Sequence, residues 1–333
     1  MSIDVRVIDD SETWNSLLTD APTATAFHRW EALDVLAEDS ASTPHHLAGY
    51  KGEEPVGVLP FFTKTAGPVT AAFSPPPSQK VPYLGPVMQP MNGAKRLRVE
   101  RRNSRFVDAC QAWIDDEYNP RFTTVLTAPG YTDARPFIWN DYEPTPRYTY
   151  VVDLDRDRDD LLASFSRNAR RNVTDVHDVD YEIVEGGREA IAEILPAVAA
   201  RHEEQGEHYP IGTDFVTRLY DAPPAGTVRP LVCRVDGEFA GGQVILEAGD
   251  TATLWLATSS RDVDLPVGDL LVWWYVESAL DGSISSYDLA GANLKRLSHF
   301  KAKFDSDLVP YYRVQKGTWG MNAASKLFCH FPI

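Results

Sequence analysis

The sequence predicts a mixed α/β fold made of two similar units, each a mixed, largely antiparallel sheet flanked by helices. The chain of 333 residues is longer than a typical single domain. Two predicted β-hairpins, AGYKGEEPVGVLPFF and CRVDGEFAGGQVILE, share the order strand, glycine-glutamate turn and apolar strand. Each hairpin is later followed by a long helix and another strand, which indicates a duplicated unit of about 150 residues.

The elements of the first half follow from alternating apolar residues and from turn residues. Residues 45–62 alternate on both sides of Lys51-Gly52-Glu53, which is typical of a hairpin. The proline-rich residues 74–87 must form a loop or an edge, because proline cannot donate to a sheet ladder. The other predictions are a strand over 3–8, helices over 31–37 and 93–117, and a β-rich run over 122–129.

The second half opens after Pro146, so we expect a first domain over 1–146 and a second over 147–318. Asp236-Gly237 is a favoured two-residue turn and predicts the hairpin over 229–249. Residues 155–173 read as one helix, with aspartates first and arginines last, as the helix dipole favours. The other predictions are strands over 148–154, 180–186, 251–260 and 284–291, and helices over 189–204 and 265–282.

Composition excludes several classes of protein. No run of about 18 apolar residues occurs, so no membrane span is predicted. The acidic N-terminus, MSIDVRVIDDSETW, lacks the apolar core of a signal peptide, so we expect a cytoplasmic protein. The cysteines and histidines have no metal-ligand spacing, and neither a metal nor a tightly bound cofactor is expected. No dinucleotide-binding GxGxxG, P-loop or GxSxG motif is present.

The net charge of −16, with arginine far more frequent than lysine, is typical of a halophilic protein from a salt-rich cytoplasm. This field repels nucleic acid, and no DNA partner is expected. Arg167, Arg170 and Arg171 cluster in the predicted helix over 155–173. They either meet the phosphates of a tRNA or carrier, or simply balance the aspartates that precede them.

Several stretches together resemble the FemAB-like branch of the GNAT acyltransferase superfamily. They are RPFIWNDYEPTPRYTYVVDL, LLASFSRNARRN, DGEFAGGQVIL, LPVGDLLVWWYVESAL and YDLAGANLKRLSHFKAKF. The resemblance covers nearly the whole chain and is strongest over residues 136–314. It implies two tandem GNAT-like domains, a C-terminal tail over 319–333 that packs on the first domain, and attack of an amine on an activated acyl group.

In this family the phenylalanine-lysine pair behind the last glycine element places a lysine in the active site, which here is Phe300-Lys301. A cation there would stabilise the oxyanion or hold the donor; the alternative is a solvated helix face. Asp288, at a strand end, is either a base for the amine or a cap of the turn at Gly291. Lys303 is expected to be an exposed bystander, and Lys295 and Arg296 surface charges.

The same resemblance suggests substrate contacts. Tyr287, Gly291 and Phe300 would touch substrate, although Tyr287 and Asp288 point to opposite sheet faces, so only one of the two lines a given pocket. In the first domain, three residues of the motifs FHRW and VPYLGPV would contact the acceptor: Arg29, Trp30 and Tyr83. For Trp30, packing against the first domain's helix is an equal alternative.

The donor would be an acyl-CoA or an aminoacyl-tRNA. Arg261 and Gly268 match the pyrophosphate-binding loop of ordinary GNAT enzymes, but the spacing is longer. Three carboxylates surround these two residues and weaken the acyl-CoA interpretation: Asp262, Asp264 and Asp269.

We therefore expect an N-acyltransferase that moves an acyl or aminoacyl group to an amine, as in glycan or cell-envelope precursor assembly. The acceptor would be a small molecule or a glycan- or lipid-linked amine. The alternatives are a catalytically silent GNAT-fold binding module and an acetyl-CoA-dependent N-acetyltransferase.

Overall fold

A computed structural model describes residues 2–175 and 179–317, and these form two compact units. The first contains residues 2–147 together with 310–317, and the second contains residues 148–309. The strand Asp307–Gly317, which the sequence did not predict, therefore lies mostly in the first unit rather than in a second domain over 147–318. The tail over 319–333, expected to pack on the first domain, lies outside the described residues.

Strands and helices alternate along the chain in the order expected of a mixed α/β fold. The strands are β1 Asp4–Val7, β2 Thr43–Lys51, β3 Glu54–Ala66, β4 Val69–Ser74, β5 Val87–Met88, β6 Phe122–Leu126, β7 Glu143–Asp153, β8 Tyr181–Glu185, β9 Val228–Val235, β10 Glu238–Ala248, β11 Thr251–Ser259, β12 Ser286–Asp288 and β13 Asp307–Gly317. The helices are α1 Ser11–Ser16, α2 Trp30–Ser40, α3 Arg96–Tyr118, α4 Arg135–Trp139, α5 Arg158–Ser164, α6 Arg167–Thr174, α7 Arg188–Glu203, α8 Thr213–Asp221, α9 Val267–Leu280 and α10 Lys295–Lys301, with short 3₁₀ turns at Ala26–His28 and Ala302–Phe304.

The two units repeat one strand order. In the first unit the order is β1-β2-β3-β4-β6-β13, and in the second it is β8-β9-β10-β11-β12-β7. In both units the fourth and fifth strands are parallel, and the other neighbours within each unit are antiparallel. The same pairing pattern in each half confirms the mixed, largely antiparallel sheets that the two hairpins predicted.

Helix α9 forms the centre of the second unit because its sequence is apolar on nearly every face. Buried residues occur all round the helix, including Leu270, Leu271, Trp273 and Tyr275. It packs against the sheet and against α6, and these contacts form an apolar core of that unit. Helix α3, in the equivalent place of the first unit, buries one stripe that includes Phe106 and Cys110.

The single helix predicted over 155–173 is wrong, since the structure has two helices there. Helix α5 ends at Ser164, and the side chain of Ser166 caps α6 by accepting from the backbone N–H of Ala169. The intervening Phe165 is extended and packs edge-on against Trp273 and Phe304. The helix is therefore interrupted at Phe165, where the ring is buried against Trp273 of α9.

None of the helices within the described ranges combines the length and apolar character needed to cross a membrane.

Candidate active site

The candidate site is built on the turn that follows β12. This short strand lies between β11 and β7 and ends at Asp288. Ala290 and Gly291 then adopt left-handed backbone conformations, with φ of 48° and 59°. The backbone N–H groups of Leu289 and Ala292 donate to carbonyls of β7, at 2.8 Å each, and fix both ends of the turn. The turn predicted at Gly291 is present. It begins at Ala290, which adopts a positive φ although it is not a glycine.

Asp288 is 4% exposed, and its carboxylate holds this turn. Oδ1 accepts from the Thr149 hydroxyl at 2.5 Å and from the backbone N–H of Ala290 at 2.8 Å. A carboxylate that accepts from the N–H two residues later forms an Asx turn. The capping interpretation of Asp288 therefore matches these contacts, although the donor is Ala290 rather than Gly291 or Ala292.

Lys301, the last residue of α10, turns inward onto the same turn. It is the only lysine or arginine among the described residues that is buried, with 9% exposure. Its Nζ donates to the carbonyl of Ala290 and, at 3.0 Å, to that of Gly291. Burial lowers the pKa of Lys301 to about 8, while the negative charge of Asp288 opposes that shift. The solvated helix face considered for Lys301 is therefore wrong.

The ammonium of Lys301 retains one donor. An ammonium has three N–H groups, and two are directed at the carbonyls of the turn. Within residues 2–175 and 179–317 the third finds no hydrogen-bond partner. A buried cation with one unused donor is suited to bind a carbonyl oxygen that gains negative charge.

Lys303 is not an exposed bystander, contrary to the sequence prediction. Its Nζ lies 2.7 Å from Oδ2 of Asp269 and 4.1 Å from the centre of the Phe300 ring. The side chains of Lys303 and Asp269 are 17% and 7% exposed. The first turn of α9 thus contains a carboxylate of the chain itself, neutralised by a lysine that follows Lys301 by two residues.

Phe300 and Gly268 meet, although the sequence assigned them to different roles. A Cβ atom placed on Gly268 would lie 3.2 Å from Cζ of Phe300, so the glycine leaves room for the ring. This contact accounts for Gly268 without a phosphate. Arg261 is exposed on the loop before α9 and is not brought to Lys301 by any contact within the described chain.

The first turn of α9, where the resemblance suggested a pyrophosphate, contains a buried carboxylate oxygen. The Oδ1 atom of Asp269 is buried there without a hydrogen-bond partner among the described residues. A second anion would meet this oxygen in a site that already has a resident carboxylate.

Two tyrosines predicted to touch substrate lie in the core. Tyr287 is fully buried and packs against Tyr275, with ring centres 4.6 Å apart. Tyr83 is 1% exposed and packs edge-on against Tyr311 in the first unit. Neither ring can meet a substrate in this conformation, so neither is retained as a binding residue.

The two residues predicted from FHRW lie at the start of α2, in the first unit. The Trp30 ring stacks on His46, with centres 3.8 Å apart, so one of its faces is covered. The Arg29 side chain pairs with Glu31 at 3.3 Å. These contacts favour the packing alternative given for Trp30 and leave an acceptor contact of Arg29 as a prediction.

Comparison with known proteins agrees with this architecture. Residues 163–302 match the family model described as an acetyltransferase (GNAT) domain, and this range includes Lys301, Asp288 and the whole of α9. The chain carries a GNAT acetyltransferase domain. This domain, over residues 163–302, is of an acetyltransferase type. A comparison with curated proteins found no match in sequence.

Solved structures extend the likeness of fold beyond the GNAT domain. FemX aligns over 94% of this chain and 97% of its own, with 12% identity and a TM-score of 0.73. A tandem GNAT protein from the clavulanic acid biosynthesis pathway covers 95% and 98%, with 15% identity and a TM-score of 0.55. The C-terminal domain of a lysylphosphatidylglycerol synthetase from Agrobacterium fabrum covers 96% and 94%, with 15% identity and a TM-score of 0.55. The predicted resemblance to the FemAB-like branch, with two tandem GNAT-like units, is confirmed as a fold.

Sequence reasoning missed Thr149 and the pairing of Asp269 with Lys303. Thr149 contacts Asp288 across 139 positions, and Lys303 contacts Asp269 across 34. The one available signal was the excess of lysine behind β12, which gave no means of distinguishing a buried lysine from an exposed one.

Proposed function

We propose that the protein is a FemAB-like N-acyltransferase that moves an acyl or aminoacyl group from an activated donor to an amine. The observation that carries the proposal is the buried Lys301 ammonium, held by two carbonyls of the turn after β12 within a GNAT domain. Burial disfavours the charged form of Lys301, so a lysine at this position does not stabilise the apolar core. Its presence is better explained by a function.

The reaction forms a C–N bond between the amine and the acyl carbon. The carbonyl oxygen becomes an oxyanion and then re-forms the carbonyl as the donor's thiolate or ribose oxygen leaves. The attacking nitrogen loses a proton, which the leaving sulfur or oxygen takes up. Lys301 donates its remaining N–H to the oxyanion. A donor of this kind is worth about 100- to 1,000-fold in rate when it is fixed in place before the reaction.

Asp288 serves as a positioning residue rather than as the base. Its Oδ1 is engaged by Thr149 and Ala290, and these bonds orient the carbonyls that hold Lys301. Its charge also favours the protonated form of Lys301, which is the form that donates to an oxyanion.

We favour a donor that does not place a pyrophosphate on the first turn of α9, because Asp269 and Lys303 already occupy it. This supports an aminoacyl donor over acyl-CoA. The lysylphosphatidylglycerol synthetase domain is named for a lipid that carries an amino acid. We therefore also propose an amine on a glycan or lipid carrier as acceptor.

The test is transfer by the purified protein from acetyl-CoA, longer acyl-CoAs or a charged tRNA pool to a panel of amines. Release of CoA thiol or loss of the aminoacyl ester, dependent on the amine, is the readout. We expect Lys301→Met to lower kcat/KM by on the order of 100-fold or more. Lys295→Met, an exposed lysine of the same helix, is the matched control and should leave the rate unchanged.

Undiminished transfer by Lys301→Met would exclude the role given to Lys301. If no donor is turned over with any amine, the alternative of a silent binding module gains. Stabilisation of the protein by CoA, with transfer from acetyl-CoA, would instead favour an acetyl-CoA-dependent enzyme and contradict the assignment of the α9 terminus.

A further inference from the structure

One face of the first unit combines exposed cations with exposed apolar side chains. Six of the eleven residues from Lys95 to Arg105 are lysine or arginine, in a chain of net charge −16. On the same helix and on α4, four large apolar side chains face solvent, and three of them are the most exposed: Leu97 is 58% exposed, Ile138 46% and Trp139 62%, against 38% for Val99. We call this surface the α3–α4 face, defined by these three residues with Arg98, Arg101 and Arg135.

Helical geometry places the cations together. Arg98, Arg101 and Arg105 follow one another at spacings of three and four residues, which lie on one side of a helix. The opposite side of α3 carries Phe106 and Cys110, which are buried in the core. Neither Arg98 nor Arg101 pairs with a carboxylate anywhere in the described chain, so their charge remains available.

The contacts of α4 bring its apolar residues alongside these arginines. Arg135, at its first position, lies 3.1 Å from Glu100 of α3, and Asn140, just after it, donates to Asp108 at 2.8 Å. These two anchors are eight residues apart on α3 and hold α4 beside it. The Arg135 guanidinium also lies over the Trp139 ring, 5.7 Å from its centre. A cation of the face is thus in contact with its exposed tryptophan.

The carboxylates on this face are few and engaged. Glu100 is shared between Arg96, at 2.7 Å, and Arg135, at 3.1 Å. Asp108 accepts from Asn140, and Asp133, which precedes α4, pairs with Arg135 at 2.8 Å. The surface therefore presents a positive field with apolar side chains inside it, whereas the protein as a whole is acidic.

We propose that the α3–α4 face docks on a membrane surface that contains anionic lipid. The arginines meet lipid phosphates, and Leu97, Ile138 and Trp139 enter the boundary between headgroups and acyl chains. Basic helices with exposed tryptophan and aliphatic residues bind membranes in this way. Because an anionic surface repels the rest of the protein, the same charges also select which side faces the membrane.

RNA is a weaker fit to this surface. Phosphates of a nucleic acid would explain the arginines, and a base could stack on Trp139. The aliphatic side chains of Leu97 and Ile138 gain nothing from phosphate, but they gain from leaving water for the lipid boundary.

The test is flotation of the purified protein with vesicles of phosphatidylcholine alone and of equal parts phosphatidylcholine and phosphatidylglycerol. We expect binding to the mixed vesicles, about 30-fold weaker for Arg98→Gln/Arg101→Gln, since each arginine contributes about fivefold near an anionic surface. Arg167→Gln/Arg171→Gln, which removes the same charge from exposed residues of α6 in the second unit, is the matched control and should bind as wild type.

The apolar contribution has its own readout. Leu97→Ser/Trp139→Ser should bind about tenfold more weakly. Tryptophan emission should be quenched when brominated phosphatidylcholine is included, and most of that quenching should be absent in Trp139→Phe. Thermal unfolding of each variant identifies any that fails to fold.

Four results would overturn the proposal. They are an absence of flotation with mixed vesicles, an equal loss for the α6 control, unchanged binding by Leu97→Ser/Trp139→Ser, and tight binding of tRNA that is lost in Arg98→Gln/Arg101→Gln while vesicle binding is not. None of these readouts depends on acyl transfer, so failure here leaves the proposed function untouched, and the reverse also holds.

Discussion

The two units have the same strand order but use the helix after the fourth strand differently. In the second unit α9 is buried on nearly every side, and the turn that follows β12 holds a buried lysine. In the first unit α3 buries one stripe and presents arginines to solvent, and among the described residues no lysine or arginine there is buried. Two units with the same strand order therefore differ in where their cations lie: one lysine is buried in the second unit, and the arginines of α3 are exposed in the first.

The two units should differ most in how much the ion pairs at the starts of α9 and α3 contribute to the free energy of unfolding. Asp269→Ala should lower the free energy of unfolding by about 3 kcal/mol, because it leaves the Lys303 ammonium, whose side chain is only 17% exposed, without its partner. Glu100→Ala, which removes the partner of the exposed Arg96 and Arg135, should lower the free energy of unfolding far less, because solvent screens these pairs. Urea unfolding measures both.

A double variant tests the reason for that difference. Asp269→Asn/Lys303→Met removes both charges and should recover most of the stability that Asp269→Ala loses. If the double variant is as unstable as the single one, packing rather than charge determines the loss.

The buried lysine also predicts a dependence of stability on pH that the first unit lacks. Folding lowers the pKa of Lys301 from its ordinary 10.5 to about 8. Between these values the unfolded chain binds more protons than the folded one, so the free energy of unfolding rises with pH. Relative to Lys301→Met, wild type should gain about 3 kcal/mol between about pH 7.5 and pH 10.5.

Urea unfolding at both ends of that range measures this gain. Lys51→Met, in the exposed hairpin turn of the first unit, controls for the general effect of pH. A difference between wild type and Lys301→Met that stays constant or falls with pH would contradict the burial of the ammonium.

A smaller effect distinguishes two buried threonines. The Thr149 hydroxyl donates to the Asp288 carboxylate in the second unit, and Thr127 accepts from the backbone N–H of Tyr312 in the first. Bonds to charged groups are the stronger class, so Thr149→Val should cost about 2 kcal/mol and Thr127→Val about 1 kcal/mol.

Chemical denaturation of the two valine variants gives the order directly. An equal loss, or a larger one for Thr127→Val, would mean that the Asp288 carboxylate finds other partners once the hydroxyl is removed.

Local sequence was sufficient for much of the fold. The turns at Lys51-Gly52-Glu53 and Asp236-Gly237 fixed the hairpins, because few other residue pairs adopt those conformations. Strand β13 was missed because Pro310 interrupts its pattern and its partner β6 lies almost 190 positions earlier. The break between α5 and α6 was missed because it depends on where Phe165 packs.

The candidate site was less predictable for the same reason. The family resemblance indicated Lys301 and Phe300, and β12 placed Asp288 at a strand end. Which of the neighbouring lysines turns inward depends on the carbonyls of Ala290 and Gly291, and the partner of Lys303 depends on the start of α9. Contacts of this kind have no periodic pattern in the chain.

The strand order has a consequence for synthesis on the ribosome. The sixth strand of the first unit, β13, pairs with β6 through Arg313–Gly317, whereas every strand of the second unit lies before residue 260 or in β12. The N-terminal unit must therefore wait for the last of these strands to emerge, although its other strands were made first. The second unit begins later in the chain, yet all of its strands have left the ribosome before β13 does. The sheet of the second unit can therefore be completed before the sheet of the first.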